Sequence, residues 1–193
     1  MRINPYHHLC CKGLLSSLLT QRHDFVKNTI AAFAARTHID VQVEPRKLDP
    51  NSRRRVDLKL FIENQTALVD VSFVHPTAPS HLAAAMADSN APLNRRAQSK
   101  ASHHQSAANA QQSNLFSFVV ESFGALHTDC ARLLLLITEA FLNFASARAT
   151  REFAEEFVNS LSIAIQRGNA LAILGGHQKN SFISSRAALR HRD

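Results

Sequence analysis

The chain has few of the residues that mark several large classes of protein. Its 193 residues include no tryptophan, one tyrosine, five glycines and three cysteines. So few cysteines, two of them adjacent, cannot form the disulfide framework of a small secreted domain, and we expect an intracellular, reducing environment. The scarcity of glycine, with no GxGxxG or GxxxxGK[ST] pattern, argues against the phosphate-cradling loops of nucleotide-binding folds.

Long hydrophobic runs and serine-hydrolase signatures are missing as well. The most apolar run, residues 133–137, lies between Arg132 and Glu139, whereas a membrane span needs about 20 apolar residues. Residues 1–11 lack the apolar centre of a secretory signal. No GxSxG pattern marks a serine nucleophile. We therefore expect neither a membrane partner nor a serine hydrolase.

What the sequence does contain is enough apolar material for one folded domain, and an excess of positive charge. Hydrophobic residues make up 45% of the chain and charged residues 19%, as in many globular proteins. Lys and Arg total 22 against 15 for Asp and Glu, which gives a net charge of +7. Arginine-rich positive charge suits contacts to phosphate, but charge alone is equally compatible with a basic soluble protein.

The hydrophobic periodicity predicts a sheet flanked by helices. Apolar residues recur at helical spacing, or alternate with polar ones as in strands. We predict helices over residues 22–36, 81–108 (in two pieces divided near Pro92), 125–148 and 150–167, and strands over residues 38–44, 56–62, 67–74 and 115–121. Gly168 is expected to end the last helix. The order α-β-β-β-α-β with further C-terminal helices predicts an α/β fold built on a mixed four-stranded sheet.

Acidic residues stand within or at the ends of these apolar strands, where acids are uncommon. They are Glu44, Asp57, Asp70 and Glu121. A buried carboxylate is costly unless it is paired or bound to a metal. Asp57 and Asp70 lie on neighbouring strands of a predicted hairpin, so their side chains can converge on the oxygen-rich kind of site that Mg²⁺ prefers. The alternative is that Asp57 pairs with nearby arginines while Asp70 faces solvent.

Several short motifs, taken in their order and spacing, resemble a known nuclease family. They are Arg22-His23-Asp24, Glu44-Pro45, Arg55-Val56-Asp57, Val69-Asp70-Val71-Ser72 and Glu121-Ser122-Phe123-Gly124. From about residue 7 to residue 176 the chain is similar to restriction-endonuclease-like domains of the PD-(D/E)XK superfamily. More narrowly, it resembles the endonuclease domain that follows the reverse transcriptase in site-specific non-LTR retrotransposons.

The resemblance implies a divalent metal held by two carboxylates. Asp57 stands at the position of the family's "PD" aspartate, with Val56 in place of the proline. Asp70 takes the acidic position of (D/E)XK, and the two acids would bind Mg²⁺ or Mn²⁺ together with the backbone carbonyl of Val71. Glu44 would be an accessory acid near the metal.

The lysine of the motif is absent, because Ser72 occupies its place. In the retroelement domains that this chain resembles, a lysine from the following helix takes this role, and Lys100 is the matching candidate. It would orient the attacking water and stabilise developing charge. From the residues alone, Lys100 reads more simply as a solvated helix lysine. Glu121 matches a family position of unspecified role, or caps the turn that follows it.

Positive side chains around these acids are candidates for contacts to nucleic acid. We assign this role to Arg53, Arg54, Arg55, Arg95, Arg96 and His104. The acidic pair and its arginines together suit the hydrolysis of a phosphodiester bond, in which a metal activates water while arginines hold the backbone.

The sequence divides into three segments. We predict an N-terminal segment (residues 1–21), an endonuclease-like domain (residues 22–176) and a basic tail expected to be mobile (residues 177–193). His7, His8, Cys10 and Cys11 resemble half of the zinc knuckle that precedes related retroelement domains. Structural zinc needs four ligands, so we expect no structural zinc here.

Three functions follow as hypotheses. The resemblance favours a metal-dependent DNA endonuclease of retroelement origin, acting in the nucleus as part of a longer reverse-transcriptase polyprotein, with RNA as an alternative substrate. The second is a catalytically degenerate nucleic-acid-binding domain, to which Ser72 and the missing proline before Asp57 point. The third is a helical protein-interaction module, suggested by the apolar stretch at residues 133–144.

Overall fold

A computed structural model describes residues 9, 12–49, 55–63 and 65–190 of the chain. It has an α/β fold, as predicted. The elements, in chain order, are α1 (Lys12–Ala35), β1 (Asp40–Val43), β2 (Leu58–Ile62), β3 (Gln65–Val74), α2 (Leu82–Ala87), α3 (Ala91–Ala110), β4 (Asn114–Glu121), α4 (Thr128–Leu142) and α5 (Ala147–Arg190). The helix predicted over residues 81–108 is indeed in two pieces, α2 and α3, and Pro92 lies in the first turn of α3, where proline is tolerated.

The four strands form one mixed sheet in the order β1-β2-β3-β4. β1 pairs with β2 and β2 pairs with β3 in antiparallel orientation, whereas β3 and β4 are parallel. Parallel neighbours need a long crossover connection, which here carries α2 and α3. The predicted mixed four-stranded sheet is therefore confirmed.

The two faces of the sheet are covered by different helices. On one face α1, α4 and α5 pack against the strands, and Val26, Ile30 and Phe157 are fully buried there. On the other face Leu93 and Ala97 of α3 pack against Val74 and Val119 of the sheet. Residues of β3 therefore alternate between the two faces, as the twofold period of a strand requires.

The register of β2 and β3 opens a cleft beside β3. Pairing of these strands begins with Leu58 opposite Val69. β3 continues to Val74, so its second half extends past the start of β2. The space left beside this part of β3 lies between α1 and α3. Asp57, the residue just before β2, lines this space.

Three helices differ from the predictions in their length. α4 covers only Thr128–Leu142 of the helix predicted over residues 125–148. α1 begins at Lys12, before the predicted start at Arg22, and so includes part of the expected N-terminal segment. α5 runs through Gly168 to Arg190, so the prediction that Gly168 ends the helix is wrong. Residues 177–190, predicted to be a separate tail, belong to this helix.

Gly168 has a packing role instead. A Cβ atom at this position would lie 2.9 Å from the Cα atom of Arg22 in α1. This distance is shorter than the normal contact distance between two non-bonded carbon atoms. The absence of a side chain at Gly168 thus lets α1 and α5 come into contact.

We predict that Gly168→Ala lowers the free energy of unfolding. Alanine gains about 1 kcal/mol in helix propensity, but forcing an extra carbon into a packed contact costs about 1–3 kcal/mol, and here the neighbour is backbone, which cannot rotate away. Urea denaturation monitored by circular dichroism measures the difference. A variant as stable as the wild type would contradict the packing role of Gly168.

Across the described part of the chain, no helix is both long enough and apolar enough to cross a bilayer.

Candidate active site

Asp57 is held at the mouth of the cleft by backbone and side-chain bonds. It lies in a bend just before β2, not inside the strand predicted over residues 56–62, because regular pairing with β3 begins only at Leu58. Its backbone N–H donates to the carbonyl of Val69 at 3.0 Å. The N–H of Val71 donates to Asp57 Oδ2 at 2.6 Å. The carboxylate of Asp57 is thereby fastened to the residue that follows Asp70.

Asp70 lies in the middle of β3 and faces α3. Its side chain is only 6% exposed, and Lys100 Nζ lies 2.7 Å from its Oδ2 atom. His104 Nε2 lies 3.4 Å from the other carboxylate oxygen, Oδ1. Burial by itself would raise the pKa of Asp70, but the contacts with His104 and Lys100 and the positive charges of these groups outweigh it and hold the pKa below the ordinary value. Asp70 is therefore a buried carboxylate with partners, and the alternative that it faces solvent is excluded.

Helix α3 supplies both partners of Asp70 from one face. Lys100 and His104 are four residues apart, which places their side chains one turn apart on the same side of a helix. The side chain of Lys100 is 21% exposed, so its amine contacts Asp70 and also reaches the cleft. The reading of Lys100 as a solvated surface lysine does not hold.

The cleft brings the two acids and the lysine together. It has a volume of about 310 Å³. Its lining comes from α1, α3, the bend before β2 and the second half of β3, and consists of Leu19, Arg22, His23, Asp57, Asp70, Val71, Ser72, Phe73, Arg96 and Lys100. Asp57, Asp70, Val71 and Lys100 were all predicted from the sequence to share one site.

Ser72, which occupies the place of the motif lysine, also lines this cleft. The residue is 4% exposed. Its Oγ atom has no hydrogen-bond partner within the described residues. An unpaired buried hydroxyl is uncommon and costs free energy, so Ser72 offers the cleft a polar atom that no other described group uses.

A second groove continues from the cleft along β3. It shares Leu19, Arg22, Phe73 and Arg96 with the cleft and extends past His75. Its further lining comes from the loop after β3 and the first turns of α3, and includes Pro79, Ser80, His81, Arg95 and Ser99. No aspartate or glutamate is among the described residues that line it. Arg95 and Arg96 are exposed there, so these two predicted nucleic-acid contacts lie beside the acidic site.

Other residues predicted for the site lie elsewhere. Glu44 follows β1, and its carboxylate pairs with Lys27 Nζ at 2.6 Å without lining the cleft. His104 is 3% exposed, so it contacts Asp70 and presents no free surface to a phosphate. Glu121 ends β4 outside the cleft, and burial raises its pKa.

The predicted arginine cluster is described in part. Arg55 is exposed, and its charge is close enough to Glu44 to help lower the pKa of that carboxyl, after the larger effect of Lys27. Arg53 and Arg54 lie outside the described residues, as do His7, His8, Cys10 and Cys11 of the zinc prediction.

His23 in α1 is a site residue that the sequence analysis did not list. Its Nε2 atom lies 3.0 Å from Asp57 Oδ2, and its Nδ1 atom lies 3.2 Å from Asp24 Oδ1. Burial lowers the pKa of His23, but bonds to Asp57 and Asp24 and the charges of these carboxylates raise it further, so the net shift is upward. The motif Arg22-His23-Asp24 contained a signal for this residue, but nothing local to α1 indicated that it would meet Asp57.

The donor set for a metal is small. Within the described residues, no group of three or more His, Cys, Asp or Glu side chains is arranged to hold a metal ion. The cleft has the two carboxylates of Asp57 and Asp70, each next to a positively ionisable side chain, and the backbone of Val71 between them.

Comparison of the chain with protein-family models and with curated proteins finds no match.

Proposed function

We propose that this protein is a metal-dependent DNA endonuclease that hydrolyses phosphodiester bonds. The observation that carries the proposal is the lining of a single cleft by Asp57, Asp70 and Lys100. Two carboxylates and an amine that meet where β3 extends past β2, next to exposed arginines, form a set of groups suited to hydrolysing a phosphate diester.

The residues present fit Mg²⁺ or Mn²⁺. Both cations prefer carboxylate and carbonyl oxygens, which Asp57, Asp70 and the Val71 carbonyl would supply. A divalent cation bound there would activate a water molecule and offset charge on the scissile phosphate. Two protein carboxylates are also enough for Mg²⁺, which usually keeps several of its waters.

Lys100 is the group that we assign to the attacking water. Its amine contacts Asp70 at 2.7 Å and also lines the cleft. From this position it can donate a hydrogen bond to the water or to an oxygen of the phosphate, and its charge stabilises the negative charge that develops there. Lys100 thus takes the role of the lysine that is missing at Ser72.

The groove beyond the cleft supplies a path for the DNA backbone. Arg96 lines both the cleft and the groove, and Arg95 lines the groove. Guanidinium groups bind phosphate through paired hydrogen bonds, so these two side chains would hold phosphates next to the bond that is cut.

We predict that Arg95→Gln and Arg96→Gln each weaken binding of DNA of any sequence and reduce its salt dependence. Loss of one phosphate contact reduces the slope of log K against log salt by about 0.9. Fluorescence anisotropy with labelled duplex DNA in EDTA, over a series of salt concentrations, measures the slope. Arg148→Gln, an exposed arginine paired with Glu152 in α5, serves as the control and should leave the slope unchanged. Equal slopes for all three variants and the wild type would contradict the proposed path.

Nicking of supercoiled plasmid DNA tests the proposed function directly. The protein should nick the plasmid in Mg²⁺ or Mn²⁺ and be inactive in EDTA. Salt-dependent DNA binding without nicking would instead favour the degenerate nucleic-acid-binding domain. Absence of DNA binding would favour the interaction module, to which the exposed side chains of Leu135, Leu142 and Phe144 would contribute.

The link to retroelements remains a prediction from the resemblance. It implies that the domain works with a reverse transcriptase in a longer polyprotein, on DNA in the nucleus. Nicking of the plasmid at one position, mapped by sequencing, would support a site-specific element, whereas scattered nicks would not.

A further inference from the structure

A series of charged side chains in contact with one another, here called the ion-pair network, leads from the surface to Asp57. It begins at Glu44, whose Oε1 atom lies 2.6 Å from Lys27 Nζ. Lys27 Nζ lies 3.0 Å from Asp24 Oδ1, and this carboxylate oxygen lies 3.2 Å from His23 Nδ1. His23 Nε2 then contacts Asp57 Oδ2 at 3.0 Å. Acidic and positively ionisable groups alternate along this ion-pair network, so every contact in it is attractive.

A backbone hydrogen bond also joins the two ends of the ion-pair network. The N–H of Glu44 donates to the carbonyl oxygen of Asp57 at 2.7 Å. Asp57 is therefore connected to Glu44 twice, once through its backbone and once through the side chains of His23, Asp24 and Lys27. Such a closed arrangement restricts both the position of Asp57 and the rotation of its carboxylate.

Two features of this ion-pair network are uncommon in folded proteins. The side chain of Lys27 is 6% exposed, and a buried ammonium group is expensive unless it is paired. Glu44 has a φ angle of +49°, in the left-handed region that non-glycine residues adopt uncommonly. This backbone conformation accompanies the contact of Glu44 with Lys27 at 2.6 Å.

We propose that His23, Asp24, Lys27 and Glu44 act together as positioning residues that hold the carboxylate of Asp57 in the cleft, with His23 making the contact and Glu44 at the far end. This inference rests on the proposed function, in which Asp57 binds the metal. It also changes the expected role of Glu44 from an acid beside the metal to one that acts through Lys27.

The backbone amide of Val71 reports on the position of Asp57 without any metal. Its N–H donates to Asp57 Oδ2 at 2.6 Å, and a short bond to a carboxylate shifts an amide proton downfield. In ¹H–¹⁵N spectra of the metal-free protein, we expect His23→Ala and Glu44→Gln to move the Val71 resonance and to speed its hydrogen exchange. His23→Gln keeps an amide donor and should restore part of the wild-type position.

A double variant tests whether His23 and Glu44 act on Asp57 through the same ion-pair network or independently of each other. Once His23→Ala has cut the side-chain contact to Asp57, only the backbone hydrogen bond between Glu44 and Asp57 remains. Adding Glu44→Gln should then change the Val71 resonance much less than Glu44→Gln does alone. Glu152→Gln, which removes a carboxylate from an exposed pair with Arg148, is the matched control and should leave Val71 unaffected. A Val71 resonance that is unchanged in His23→Ala, or equal additional shifts in the double variant, would overturn the inference.

Measurements of Mn²⁺ binding then test whether the ion-pair network affects the proposed metal site. Loss of a group that orients a metal ligand lowers metal affinity by about 10–100-fold. We expect His23→Ala to weaken Mn²⁺ binding at least about tenfold by calorimetry, and Glu44→Gln to weaken it less. If the wild type binds no Mn²⁺, the proposal of a metal site is wrong, but the Val71 experiment still decides whether the ion-pair network positions Asp57. If the wild type binds Mn²⁺ and His23→Ala binds it equally well, the inference is wrong.

Discussion

Replacement of Asp70 by asparagine is expected to lower the rate of Mg²⁺-dependent plasmid nicking by more than about 100-fold. Residues that merely orient a metal ligand contribute about 10–100-fold, and Asp70 is proposed as a ligand itself. The amide keeps the shape of the side chain but removes the negative charge that faces Lys100 at 2.7 Å. Nicking of supercoiled plasmid, quantified on agarose gels over a range of Mg²⁺ concentrations, measures the loss.

Asp129→Asn is the matched control for this variant. Asp129 is also a shielded carboxylate, with a side chain that is 19% exposed and that accepts a hydrogen bond from the N–H of Ser117. It does not line the cleft. The control should nick DNA at the wild-type rate, and circular dichroism should show both variants folded. Wild-type nicking by Asp70→Asn would exclude the proposed active site.

Replacement of Lys100 by methionine is the second change for which we expect a large loss of activity. Methionine keeps most of the length and apolar character of the side chain but has no charge and no hydrogen-bond donor. Groups that donate or accept protons in a reaction contribute about 10²–10⁴-fold, so nicking should fall by at least about 100-fold. The DNA-binding affinity in EDTA should change much less, because Arg95 and Arg96 still line the groove.

A second substitution tests whether the role of Lys100 replaces that of the lysine missing at residue 72. Ser72 lines the same cleft and is buried. The double variant Lys100→Met with Ser72→Lys should therefore recover part of the lost nicking activity. Lys59→Met, a lysine on β2 bonded to Gln111, is the control and should retain full activity. Full activity of Lys100→Met alone would show that Lys100 is not a catalytic residue.

Much of the fold was predictable because its determinants are local. Alternating apolar residues indicated the first strands, a nearly continuous apolar run indicated the fourth, and turn residues separated them. Asp57 immediately precedes β2 and Asp70 lies in β3, the two strands of one hairpin, so the proximity of these acids also followed from a short range of sequence. Lys100 is thirty residues from Asp70 along the chain, and the role proposed for it came from the resemblance to retroelement nucleases rather than from any pattern in the helix.

The sequence by itself determined the element order, the sheet class and the pair of acids, since each depends on residues close together in the chain. Only the tertiary structure decided which partner each charged group would meet. Glu44 turns to Lys27, His104 is buried against Asp70, and His23 contacts Asp57 across 34 residues of sequence. These contacts depend on how α1 and α3 pack on opposite faces of the sheet, and periodicity within a helix indicates which residues share a face but not what that face will meet.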